Sequence, residues 1–166
     1  MELMNWLKNI ASARPIPKWY KRRLPVYFQS EIAECGSACV TMVAVYHGAA
    51  TDMRAMRTKF YTSVRGITLK SLISIASQIN MKSRPLRVSL DQLSKISLPC
   101  ILHWNLDHFV ALASVQNDRF VVHDPAHGRR TLDREEVGKL FTTKIDNRRT
   151  SSRPFSKADC NSETTV

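Results

Sequence analysis

A chain of 166 residues with 43% hydrophobic and 23% charged residues is long enough to bury one real core, and 5 glycines with 7 scattered prolines exclude a collagen-like or wholly disordered chain. The formal net charge of +11, from 25 Lys and Arg against 14 Asp and Glu, favours acidic partners such as an anionic membrane face or an acidic peptide. The basic clusters Lys18, Lys21, Arg22, Arg23 and Arg129, Arg130, Arg148, Arg149, Arg153 carry no interleaved aromatic signature, so they read as a solvated surface and nucleic acid is not expected as a partner.

Four cysteines are present, Cys35, Cys39, Cys100 and Cys160. Met1 to Ile10 is too interrupted by Glu2, Asn5, Lys8 and Asn9 to be a secretory signal, so a reducing, cytoplasmic setting and free thiols are expected. Apolar runs such as Phe109 to Ala113 are too short to span a bilayer; the expectation is a soluble or peripheral protein with no transmembrane segment.

Residues 1–23 read as an N-terminal basic, amphipathic arm: Leu3, Leu7 and Ile10 fall at helical spacing, and Pro15 and Pro17 stop any helix. The arm is either a cap on the domain or a membrane- or partner-touching helix. A helix is expected from about Cys35 to His47, with Cys39, Met42, Val43 and Tyr46 on its apolar stripe and Gly48 as its left-handed stop. A second helix follows over 52–60. A third is capped by Thr68, with Leu69, Leu72, Ile73, Ala76 and Ile79 on one face. Lys82 to Val88 reads as an edge strand marked by Pro85, and Ser89 to Ile96 as a short helix. Three β-rich runs come next, Cys100 to Trp104, His108 to Val115 and Arg119 to His123, with Asn117-Asp118 as a hairpin turn. Asp133 and Glu136 form a capping box for a last helix ending near Phe141. The Arg-, Ser- and Thr-rich end, 147–166, reads as a disordered polar tail. Helices first and an antiparallel sheet after make an α+β layout, with one domain over 24–146.

Cys35, in Glu34-Cys35-Gly36, stands at the start of a predicted helix, where free N–H groups and partial positive charge favour a thiolate. Gly36 would let a substrate backbone approach closely. A buried structural cysteine is the competing reading, and position alone does not separate the two. His108, in Asp107-His108-Phe109-Val110, opens a strand, and Asp124, in His123-Asp124-Pro125, ends the next one. A hairpin makes those two positions neighbours, so Asp124 can orient the imidazole for proton transfer. Gln29 lies shortly before the cysteine, where a side-chain amide can join a backbone N–H in binding an oxyanion.

The run from Leu24 to Cys39 (LPVYFQSEIAECGSAC), with Arg65-Gly66-Ile67-Thr68-Leu69, Pro99-Cys100-Ile101-Leu102-His103-Trp104, Asp107-His108-Phe109-Val110 and His123-Asp124-Pro125-Ala126 in order, resembles the double-glycine leader peptidases. These are bacteriocin-processing domains at the N-terminus of peptidase-containing ABC exporters. The resemblance covers roughly residues 20 to 142 and is nearest to the exporters of colicin V and related microcins. It implies a papain-like cysteine peptidase fold. It implies Cys35 as nucleophile, His108 as general base, Asp124 as the orienting residue and Gln29 as oxyanion donor, with Gly36, Asp107 and Phe109 at the substrate. It implies cleavage after a Gly-Gly pair in the leader of a bacteriocin or microcin precursor, coupled to export by an ABC transporter at the inner face of the bacterial inner membrane, with no cofactor.

The chain departs from the family in carrying no Walker A pattern and in ending on a polar tail, which reads as a stand-alone peptidase or a truncated exporter. A non-catalytic leader-binding module is the alternative from another class. Zinc would need Cys35, Cys39, His123 and His127 to converge; the cysteines lie one helical turn apart and the histidines flank a bend, so no metal is expected.

Overall fold

The computed structural model describes residues 23–60, 66–105, 107–141 and 164–165. Apart from Arg23, the expected arm falls outside these residues, as do Arg65, Cys160 and all of the expected tail except Thr164–Thr165.

A 3-10 turn, Ile32–Glu34, runs directly into helix α1, Cys35–Tyr46. Every residue of α1 from Cys35 to Ala44 is buried. A helix apolar on all sides belongs in the middle of a core, so the one-sided stripe expected from the sequence is too narrow. Thr41, one of its few polar residues, is buried because its hydroxyl donates to the Ser37 carbonyl one turn back, at 2.7 Å. The helix stops at Gly48, whose φ of 94° is the left-handed conformation a glycine adopts freely.

Helices α2, Met53–Lys59, and α3, Leu69–Gln78, pack against α1. Asp52 caps α2 by accepting from the Ala55 N–H at 2.8 Å, and Thr68 caps α3 by accepting from the Ser71 N–H at 3.2 Å. On α3 the buried residues are Leu72, Ile75 and Ala76; Leu69, expected on the apolar face, is exposed. The strand expected over 82–88 shrinks to β1, Ser83–Arg84, because Pro85 has no N–H to continue a ladder. The turn after it, Leu90–Lys95, is 3-10, held by the Ser89 N–H donating to Gln92 Oε1 at 2.9 Å.

The main sheet is antiparallel in the order β2-β3-β4-β5: β2 is Cys100–Trp104, β3 His108–Gln116, β4 Arg119–Asp124 and β5 Gly128–Leu132. Asn117 and Asp118, with φ of 49° and 56°, make the β3–β4 hairpin turn with both central residues left-handed, the twist a tight hairpin needs. Helix α4, Arg134–Leu140, is closed by the expected capping box: Asp133 accepts from the Glu136 N–H at 2.8 Å and the Asp133 N–H donates to Glu136 at 2.9 Å. A last pair, β6 (Thr164–Thr165), runs parallel to β1.

Strand alternation sorts the core into two halves. Ile101, Phe109 and Ala111 face α1 with Cys39, Met42 and Leu72. Leu102, Val110, Leu112, Phe120 and Val122 face the other way, onto Leu93, Leu132 and Val137. The sheet is therefore covered on both faces. The N-terminus of α1 meets the sheet where β3 starts and β4 ends. Among the described residues no helix is long and apolar enough to cross a membrane.

Candidate active site

Cys35 opens α1, so its sulfur lies among backbone N–H groups that have no partner within the helix. The N–H of Gly36 and that of Phe109 point at the sulfur, and the imidazole of His108 is hydrogen-bonded to it. Burial pushes this thiol up, but the hydrogen bond from His108 and those two N–H groups outweigh burial, and its pKa falls below the ordinary thiol value.

His108 opens β3 and is half-buried. Its Nε2 stands 2.9 Å from Asp124 Oδ1 at the end of β4, which leaves Nδ1 as the nitrogen facing Cys35. The hydrogen bond to Asp124 is the largest influence on the ring and that to Cys35 the next; against burial they raise its pKa to about 9. Asp124 is buried at 5% exposure. Its Oδ1 also accepts from the Ala126 N–H at 2.8 Å, and its Oδ2 faces His127 Nδ1 at 2.9 Å, with Arg130 at 3.9 Å. Burial pushes this carboxyl up, yet the donors from His108, Ala126 and His127 hold it well below the usual range, as a carboxylate.

The segment before α1 is tied to the end of β4. The carbonyl of Pro25 lies 2.9 Å from Nδ1 of the buried His123, and the Gln29 N–H donates to the Pro125 carbonyl at 3.0 Å. Gln29 is thereby anchored one residue from Asp124. Its side-chain Oε1 is buried with no hydrogen-bond partner among the described residues.

A cleft of about 500 Å³ opens at Cys35. Ile32, Ala33, the stretch Gly66 to Leu69, His103, Asp107 and Phe109 line it together with Cys35. The His103 ring stacks on Phe109, with centroids 4.7 Å apart. Ile32 is 89% exposed and Leu69 41%, so apolar side chains line this opening unburied.

The structure thus places Cys35, Asp107 and Phe109 in the walls of one cleft, with His108 against Cys35 and Asp124 against His108; Gln29 is not among the lining residues. A Cβ at Gly36 would lie 3.2 Å from Leu72 Cδ1 and 3.3 Å from Ile67 Cβ, so the glycine makes room for α3 and the cleft wall. The four residues considered for zinc have other partners: Cys39 Sγ donates to the Phe109 carbonyl at 3.3 Å, His123 faces Pro25 and His127 faces Asp124. Sequence reasoning missed His127 as a third support of Asp124, Ile32 and His103 as cleft walls, and Arg57, which reaches Glu34 from α2. The isolated apolar Ile32 within a polar run was the one available signal.

A thiol at a helix N-terminus, an imidazole on one strand and a carboxylate on the next, set in helices packed on an antiparallel sheet, have the layout of a papain-like peptidase domain. The chain belongs to the Peptidase C39 family, whose family model matches residues 23–146. Over 123 residues it is 47% identical to the probable microcin-H47 secretion/processing ATP-binding protein of Escherichia coli and 46% identical to the colicin V secretion/processing ATP-binding protein of the same organism. Each match covers 74% of this chain but only 18% of the relative's length. The fold is similar to a double glycine motif protease from an AMS/PCAT transporter, solved in complex with the leader peptide: TM-score 0.67, 29% identity, 74% of this chain and 90% of that one.

Proposed function

We propose that the chain, through a peptidase domain over 24–146, is a cysteine endopeptidase that removes the leader of a bacteriocin or microcin precursor after a Gly-Gly pair. The observation that carries this reading is the line from Cys35 through His108 to Asp124, opening on a cleft with apolar walls. The likeness to a double-glycine protease bound to a leader peptide supports the substrate. The likeness to secretion/processing proteins supports work alongside an ABC exporter, at the cytoplasmic face of a bacterial inner membrane.

In this mechanism the Cys35 thiolate attacks the carbonyl carbon of the second glycine. The carbonyl oxygen becomes an oxyanion, met by the Cys35 N–H and the Gln29 amide. With its Oε1 buried, that amide has its Nε2 to offer. The His108 imidazolium gives its proton to the leaving amine as the C–N bond breaks, leaving a thioester. Neutral His108 then takes a proton from water, whose oxygen attacks the thioester; the acid product leaves, and the thiolate and imidazolium are restored. Asp124 fixes the ring throughout and stays ionised. Asp107 and Phe109 flank the backbone near the scissile bond, and Ile32, Ile67 and Leu69 offer apolar contact to the leader upstream.

The test is to incubate the chain with a Gly-Gly precursor and find the cut by mass spectrometry. A single cut after the second glycine is expected. A precursor that is bound but left intact would favour the non-catalytic binding module instead.

A further inference from the structure

The segment from Gln29 to Glu34 joins the proposed oxyanion donor to the nucleophile, yet little of the core holds it. It has one backbone hydrogen bond of its own among those described, from the Glu34 N–H to the Glu31 carbonyl at 3.0 Å, and Ile32 in its middle stands in solvent. What braces it is a carboxylate. Glu34, buried immediately before Cys35, accepts from the Ser30 N–H at 2.7 Å and from the Glu31 N–H at 3.4 Å. Arg57 on α2 grips the same carboxylate with both arms of its fork, Nε to Oε1 at 2.6 Å and Nη2 to Oε2 at 2.9 Å, and Nη2 also donates to Ser30 Oγ at 2.8 Å. The hydrogen bond from Arg57 is the largest influence on Glu34 and helps keep it ionised.

Resting on the peptidase reading above, we infer that Arg57 and Glu34 are positioning residues for the oxyanion site. The pair ties the Gln29–Cys35 segment to α2, which is itself anchored in the core by Met53 and Met56. Gln29 is held at its other side by its backbone N–H on the Pro125 carbonyl, so the main chain that carries the side-chain amide is fixed from two directions. An ordinary surface ion pair contributes little to stability. This one differs in geometry: a planar fork on a buried carboxylate that already accepts two backbone N–H groups from the segment. Neither residue lies among the groups that set the Cys35 thiol, so the effect should fall on stabilisation of the reacting carbonyl oxygen and leave thiol ionisation alone.

The experiment compares wild type, Arg57→Leu, Arg57→Lys, Gln29→Ala and the Arg57→Leu/Gln29→Ala double variant on a Gly-Gly leader peptide. The pH dependence of Cys35 alkylation by iodoacetamide is followed in parallel. Arg57→Leu is expected to lower kcat by about tenfold or more with KM within about twofold and the alkylation profile unmoved. Arg57→Lys, which keeps the charge but loses the fork, should restore part of kcat and keeps the question open to measurement if the leucine variant folds poorly. In the Gln29→Ala background the Arg57 change should cost about twofold or less, because the donor it positions is gone. If wild type cleaves and both Arg57 variants keep kcat within about twofold, or if the two losses multiply in full, the inference is overturned and the peptidase reading stands. If wild type leaves the peptide intact, the reading falls and the inference with it.

Discussion

Asp124 takes Nε2 of His108 at 2.9 Å and so hands the opposite ring nitrogen to the sulfur of Cys35. Asp124→Asn keeps the shape of the carboxylate but loses its charge, the foremost support of the raised imidazole pKa. The variant should lose roughly 10²-fold in kcat with a much smaller change in KM. Steady-state kinetics on a leader peptide measures both, and unchanged turnover would remove Asp124 from the site.

The pH profile follows from the same pair. Activity should rise as Cys35 ionises, at a pH below that of an ordinary thiol, and fall as the imidazolium loses its proton at about 9. In Asp124→Asn the alkaline limb should move to lower pH. The linked stability has a sign too. His108 is raised from 6.5, so its contribution is full below that value and is lost as pH rises through about 9. Asp124 is depressed, so its contribution is present above the ordinary carboxyl value and is lost in acid. Chemical unfolding across pH 3 to 10 reads the His108 loss in full and the onset of the Asp124 loss at its acid end.

The thiols should separate by reactivity. Burial pushes Cys100 up to about 12 and lifts Cys39 well above the ordinary value, while Cys35 is lowered. In a Cys160→Ser background near neutral pH, iodoacetamide should label one site, Cys35, and abolish cleavage. Cys35→Ala should abolish cleavage and keep the fold; Cys39→Ala should retain the chemistry. Loss of activity in a folded Cys39→Ala protein with retention in Cys35→Ala would reverse the assignment.

Gly36→Ala tests the packing behind Cys35. The new methyl would meet Ile67 and Leu72 at 3.2 to 3.3 Å, so one of them must give way. A cost of about 1–3 kcal/mol in stability is expected. KM should also rise, because Ile67 is a wall of the cleft. Denaturant melts and kinetics together check this; an unaltered protein would mean α3 yields freely.

On the substrate side, Ile67 and Phe109 line the same cleft as Cys35, and double-glycine selectivity requires that side chains be excluded there at the two positions before the scissile bond. A Gly→Ala change at either position should slow cleavage at least about tenfold, as expected of a steric block of about 1–3 kcal/mol. An apolar-to-Ala change further upstream should mainly raise KM. Equal processing of the Gly→Ala peptides would rule out double-glycine selectivity.

The helices were legible wherever local chemistry declared them: Thr68 and Asp133 as caps, Gly48 as a stop, Asn117-Asp118 as a turn. Strand β5 was not, because Gly128–Leu132 carries one large apolar residue, Leu132, and is held through backbone pairing to β4. Its start depends on Gly128 at φ 81°, beneath the Phe28 ring, a contact across a hundred residues that no periodicity reveals. The cysteine, the histidine and the aspartate could be read from helix start and hairpin ends. Arg57 and His127 could not: one reaches Glu34 from 23 residues away, and the other, weighed in the sequence only as a zinc ligand, turns back onto Asp124 through a bend.

The exposed side chains of Ile32 and Leu69 give the cleft apolar surface in contact with water. A peptide that covers them removes that hydration. Association should therefore carry a negative heat-capacity change, its enthalpy growing more favourable with each degree of warming. Calorimetry on the Cys35→Ala protein at several temperatures would show that slope, and replacing Ile32 by serine would flatten it. The open cleft is in this sense a store of solvent ordering, released when a leader settles into it.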